Sequence, residues 1–226
     1  MRNLILGLFF FLTLCTSAYS QSRICRDAAD EPHHRVVLES AQVRVLLLEL
    51  PRIASTDSFC YAGSYVYIAL GEGRSSMTPE GKGTFSRDWR GAEAQIVYQP
   101  QQQVIRNESG NTFRELVVEL RRGVDYDPMV DYSAPDMFPP DLGSVKSTWA
   151  VSFVAGGVKF SRVQLATGEA IRVNRAQHLL VALNELTMEQ AGAQTVSLNA
   201  QDFTNVNAGT LTNTGRDTAR FILVEY

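Results

Sequence analysis

Hydrophobic positions along the chain fall into short dense runs. Residues 43–50 read Val-Arg-Val-Leu-Leu-Leu-Glu-Leu, and 65–70, 94–98 and 116–120 are similarly rich in Val, Ile, Leu and Tyr. Clusters of Gly, Pro, Ser and Asn separate them. Short β-branched and aromatic runs bounded by turn formers predict the strands of a β-sandwich or barrel. No long stretch repeats its apolar residues at the spacing of an amphipathic helix. The polar segment 99–103, with four Gln and one Pro, predicts a loop, and the Gly/Ser-rich stretch 71–91 reads as a loop region.

The pattern occurs twice. Residues 107–120 return as 213–226, with Asn107/Asn213, Thr112/Thr218, Arg114/Arg220, Val118/Val224 and Glu119/Glu225 matching at an offset of 106. Val36 and Val43 match Val151 and Val158 at 115, and 65–70 matches 178–183 at 113. Three blocks in the same order, with offsets that change only between them, mean two copies of one domain. The copies span 33–121 and 148–226. The recurring Arg114/Arg220 and Glu119/Glu225 predict a structural role, pairing across strands in each copy. Between the copies, 122–147 carries Pro128, Pro135, Pro139 and Pro140 among Tyr126, Met129, Tyr132, Met137 and Phe138. That mixture predicts an irregular strap anchored on the domain surfaces by its apolar side chains.

A chain of 226 residues with 45% hydrophobic content can build two small cores. A net charge of −3 argues against a nucleic-acid partner, which requires a basic face. Arg2, the apolar run 4–14 and the small residues Ala18 and Ser20 read as a signal peptide over 1–20. Its apolar core is shorter than the roughly 20 residues that span a bilayer, so no membrane attachment is expected after cleavage. The expected location is periplasmic or secreted, in a bacterium. Removal of the peptide leaves Cys25 and Cys60, which form either one disulfide or two separate thiols.

Taken together, the residues resemble the cupin superfamily, specifically a two-domain bicupin of the small bacterial exported type. The resemblance runs from His33 to Tyr226. Residues 33–46 look like the opening strand pair, 65–71 like the end of the first cupin motif, and Gly91 to Asn107 like the second. Gly168, residues 178–183 and Asn213 repeat that frame. The implied fold is all-β: two tandem double-stranded β-helix (jelly-roll) barrels. Cupin enzymes bind a divalent metal with a His-x-His pair, a carboxylate and a third histidine. Counting from the motifs puts those positions near Phe59, Tyr61, Ser64 and Gln103 in the first copy, and near Arg172, Asn174, Gln177 and Gly209 in the second. These are poor donors for a divalent ion. No metal, cofactor or catalytic residue is therefore expected. His33 and His34 are expected at a turn, cap or surface, and His178 as a hydrogen-bonding residue near a barrel mouth.

Two readings of the first barrel stay open. Phe59, Tyr61, Tyr65, Tyr98 and Gln103, with Tyr67 and Trp89, either line a pocket that stacks on a flat or sugar-like ligand or simply fill the cavity. In the second barrel Arg172, Asn174, Gln177 and His178 would ring a polar mouth in which Arg172 recognises a carboxylate, unless Arg172 lies on the outside. The expected function is a non-catalytic exported bicupin that binds a small molecule or a protein partner. The alternative is a metal-dependent dioxygenase or isomerase with displaced ligands, and a homodimer through edge strands is a further expectation. Mass spectrometry of the exported protein should find a mature chain beginning at Gln21; a product retaining residues 1–20 would remove the signal-peptide assignment.

Overall fold

The computed structural model describes residues 25–98, 101–122, 148–174, 177–191 and 195–226. The predicted signal peptide and nearly all of the predicted strap fall outside these residues. In the first half, a short 3-10 turn (Ala28–Asp30) leads into β1 (His34–Glu39), β2 (Val43–Leu50), β3 (Tyr65–Ala69), β4 (Gly73–Pro79), β5 (Phe85–Trp89), β6 (Ala94–Val97), β7 (Gln103–Asn107) and β8 (Phe113–Leu120). The second half holds β9 (Trp149–Ala155), β10 (Val158–Leu165), β11 (Ala170–Val173), β12 (His178–Ala182), β13 (Leu186–Gln190), β14 (Thr195–Leu198), β15 (Phe203–Val206), β16 (Gly209–Asn213) and β17 (Ala219–Glu225).

Each half folds into two facing antiparallel sheets. The larger sheets run β1-β2-β8-β3-β6 and β9-β10-β17-β12-β15, the same order in both halves. The smaller sheets run β5-β4-β7 and β11-β16-β13-β14. Where the second half has β11, the first has an irregular segment joined to β7 by the isolated bridges Ser55↔Arg106 and Phe59↔Gln103. The sequence repeat is thus a repeat of topology. Two loop expectations are corrected. The stretch 71–91 contains β4 and β5, and Gln103 is the first residue of β7. Small hydroxyl residues fit inside a sheet when a neighbour satisfies them: Ser75 is buried and its Oγ accepts a hydrogen bond from Trp89 Nε1 at 2.8 Å.

Successive side chains on a strand point to opposite faces, and the central strands bury both. On β2, Leu46, Leu48 and Leu50 face the first barrel's interior, while Val43, Val45 and Leu47 face outward into a second cluster. That second cluster also takes Val158 and Phe160 of β10, Leu179 and Val181 of β12, and Ile222 and Val224 of β17. The two large sheets therefore pack against each other, and the halves share one apolar core. Strands buried on both sides read as unbroken apolar runs, which explains residues 45–48 between Arg44 and Glu49.

Polar residues hold the strand ends. Arg44 pairs across strands with Glu119, and also with Asp27 at 2.8 Å; Lys159 pairs likewise with Glu225 at 2.9 Å. Arg114 pairs with Glu49 at 3.0 Å, and Arg220 Nε donates to Gln164 Oε1 at 3.2 Å. All of these contacts except the one with Asp27 join register partners. A disulfide joins Cys25 to Cys60, with Cα atoms 5.8 Å apart, and ties the N-terminal segment to the first barrel.

Asn107 and Asn213 are fully buried. Asn107 Nδ2 donates to the carbonyls of Leu50, Pro51 and Asn111 at 2.7–3.0 Å, and its Oδ1 accepts from Ser109 N. Asn213 repeats the clasp with Leu165, Asp217 and Gly215. Asn213→Ala should leave buried carbonyls unsatisfied and cost about 2–3 kcal/mol. Urea unfolding measures this, and a midpoint equal to the wild type's would remove the clasp from the account.

Candidate functional site

The strongest concentration of chemical groups lies inside the first barrel. His34, Phe59, Tyr61, Tyr65, Tyr67, Trp89 and Phe113 form a continuous ladder of rings with centroids 4.2–6.4 Å apart. All seven are buried. Alternation on β3 aims Tyr65 and Tyr67 inward while Val66 and Ile68 point to the neighbouring barrel. The polar tips are satisfied by inward-facing partners. His34 Nδ1 lies 2.6 Å from Glu31 Oε2, and its Nε2 lies 3.0 Å from the Tyr61 hydroxyl. Gln103 Nε2 donates to the Tyr65 hydroxyl at 3.3 Å, and the Tyr67 hydroxyl donates to Gln95 Oε1. Burial pushes all three tyrosine hydroxyls well above their ordinary range, so they stay protonated.

Four of the five residues expected around this interior converge: Phe59, Tyr61, Tyr65 and Gln103. They fill the space. Tyr98 does not join them. It is half-buried against the core shared with the second barrel, while its neighbour Val97 packs toward the rings. A one-residue step along a strand exchanges faces. His34 is also corrected. It is a buried member of the ladder, not a surface residue, because Glu31 and Tyr61 satisfy both ring nitrogens. Burial holds its imidazole below the ordinary range, against the opposing pull of Glu31.

Glu115 was not legible as a site residue. It lies on the inward face of β8 between Phe113 and Val117, opposite Leu48 and Ala69. Its carboxyl accepts no hydrogen bond among the described residues, and burial pushes it up to about 8, with Arg87 pulling the other way. Arg87 sits at the barrel wall, 4.1 Å from the centre of the Trp89 ring and 3.4 Å from Glu93. The available signal was its place two residues from both Phe113 and Val117, on the same face of β8.

The second barrel's interior is mostly aliphatic, built on Val163, Leu180, Leu186, Met188, Leu211 and Leu223 with Phe221 among them. The bridge Phe59↔Gln103 in the first barrel corresponds to Val173↔Gly209 in the second. Val173 therefore takes the inward place of Phe59. Arg172 and Asn174, one residue to either side, are exposed, and the polar mouth expected from Arg172, Asn174 and Gln177 does not form. Gln177 is exposed, and its carbonyl accepts from Tyr226 N at 3.3 Å. His178 is fully buried at the barrel end, 3.6 Å from Glu225, which also binds Lys159.

These residues do not suit the metal that the cupin resemblance implies. The places of its donors hold two rings and an amide in the first barrel, and a valine and a glycine in the second. Imidazole and carboxylate donors must converge in threes or fours to hold such an ion, and no such group exists among the described residues.

Glu115 makes a prediction from its burial alone. In the unfolded chain it ionises near its ordinary 4.5, whereas in the fold it keeps its proton to about 8. The folded state binds the extra proton between those values, so stability falls as pH rises through that window and levels off above it. Glu115→Gln should abolish the fall and exceed the wild type at pH 9 by roughly 2–5 kcal/mol. Urea unfolding at pH 5 and pH 9 decides this; parallel behaviour of the two proteins would mean that Glu115 ionises freely.

No protein-family model and no curated protein matches the chain in sequence. Solved structures do match in fold. AerE from Microcystis aeruginosa is 9% identical, with a TM-score of 0.57 over 86% of this chain and 97% of that one. A cupin 2 conserved barrel domain protein from Leptotrichia buccalis is 11% identical, with a TM-score of 0.58 over 89% and 91%. Oxalate decarboxylase from Bacillus subtilis is 9% identical, with a TM-score of 0.54 over 81% and 68%. This likeness, matching the strand order found in both halves, identifies the fold as a bicupin: two tandem cupin barrels in one chain.

Proposed function

We propose that the protein is an exported, non-catalytic bicupin that binds a small molecule without a metal. The ring ladder carries the metal-free, non-catalytic part of this reading. Phe59 and Tyr61 stand where a cupin enzyme would place its first histidine pair, and Gln103, held by Tyr65, stands in place of the third. The rings occupy the volume in which a metal and a substrate would meet. An emptied apolar cavity of that size would cost stability, which accounts for bulky replacements at lost ligand positions. Oxalate decarboxylase of Bacillus subtilis, similar in fold, contains Mn(II) centres; the donors such a centre needs do not converge among the described residues here. Export is supported by the pattern of residues 1–20 and by the Cys25–Cys60 disulfide, a bond that persists in oxidising compartments. Among the described residues β1 and β9 are edge strands of the large sheets, each paired on one side only, as an edge-to-edge dimer would require.

Elemental analysis of the purified protein tests the central claim. The expected content of manganese, iron, zinc and nickel is well below one ion per chain, including after incubation with each metal and desalting. Stoichiometric retention of any of them would overturn the reading.

A further inference from the structure

A cleft of about 540 Å³ opens between the two barrels, where β10 and β17 run past the shared core. One wall carries the small residues Gly71, Gly91 and Ala92 beside Leu70 and Glu72. The other presents Arg162, Gln164 and Arg220. Arg162 and Gln164 lie on one face of β10, and Gln164 is the register partner of Arg220. Arg162 and Arg220 are therefore diagonal neighbours on one face, about 7–8 Å apart at the backbone. Glu72, exposed on the wall of small residues, is the acid among the lining residues.

The internal repeat shows what is unusual here. The second barrel's Gln164–Arg220 pair corresponds to Glu49–Arg114 in the first. There the carboxylate neutralises the guanidinium at 3.0 Å. Here Arg220 receives only an amide oxygen at 3.2 Å and makes no ion pair among the described residues. At the offset of 115, Arg162 stands where the first barrel has the buried Leu47. One repeat has thus lost an acid and gained a base on the face that lines the cleft. The cleft is also held in a defined shape. Ala92 and Gln201 line it from equivalent turns, each with a left-handed backbone at φ 72° and 70°. Such backbone costs energy for residues other than glycine and recurs at ligand sites. Gln201 lies so close to Gly71 that a Cβ there would sit 2.8 Å from its Nε2.

The geometry points to this cleft as a binding site for a small dianion, a dicarboxylate or a phosphate, held between Arg162 and Arg220 by charge-assisted hydrogen bonds. The inference rests on the reading of the protein as a binder and supplies its site and ligand class. Calorimetric titration of the mature chain at low ionic strength, with succinate and with inorganic phosphate separately, tests it, with sodium chloride as the control for ionic heat. Saturable 1:1 binding of at least one dianion is expected, weakening as salt is added, and the anion that saturates assigns the organic acid or the phosphate. Gln164→Glu, which copies the first barrel's ion pair, and Arg220→Gln should each weaken binding about tenfold or more, and Glu72→Gln should strengthen it several-fold. Thermal unfolding confirms that each variant is folded, and the exposed Arg220 decides the matter if Gln164→Glu is not. Metal retention would sink the proposed function and leave this site standing. Absence of saturation by either dianion, or wild-type affinity in folded Arg220→Gln, would overturn the cleft assignment alone.

Discussion

Packing of the two large sheets against each other is the constraint on which the molecule depends. It buries the outer face of β2, β3, β8, β10, β12 and β17, whose inner faces already line a barrel. Residues in the middle of these strands have apolar neighbours on both sides, so charge is driven to strand ends. There it appears as the cross-strand pairs Arg44–Glu119, Lys159–Glu225 and Glu49–Arg114. The cleft begins where this packing stops, which is why the polar side chains of β10 and β17 face it.

The barrels have followed different courses from the same frame. The first is packed with rings whose hydroxyl and imidazole groups bond to Glu31, Gln95, Gln103 and, for His34 and Tyr61, to each other, so that polar atoms are buried at little cost. The second is filled mostly by aliphatic side chains around Phe221 and keeps its single imidazole at one end, beside Glu225. Glu115 departs from this pattern of satisfied burial in the first barrel. A carboxyl facing apolar neighbours avoids the cost of a buried charge by keeping its proton, at the expense of a pH-dependent fold.

The strands, the duplication and the recurring Asn, Arg and Glu were legible in the sequence because each is a local pattern or a repeated spacing. Asn107 and Asn213 stood out by recurrence, and the structure supplies the reason in the carbonyls they clasp. Loops were less legible: Ser and Gly in 71–91 resemble turn composition, yet a buried donor from Trp89 admits Ser75 to a strand.

Residue type and periodicity were thus enough to set the class of fold, its doubling and the poverty of metal donors. Tertiary structure alone decided that Tyr98 and Arg172 turn away from the barrel interiors, that His34 enters one, that Glu115 is stranded among rings, and that Arg162 and Arg220 meet on the wall of one cleft. The physical reason is the two-residue period of a strand. A register uncertain by one position leaves the strand intact but moves every side chain to the opposite face, and only packing against the neighbouring sheet selects between them.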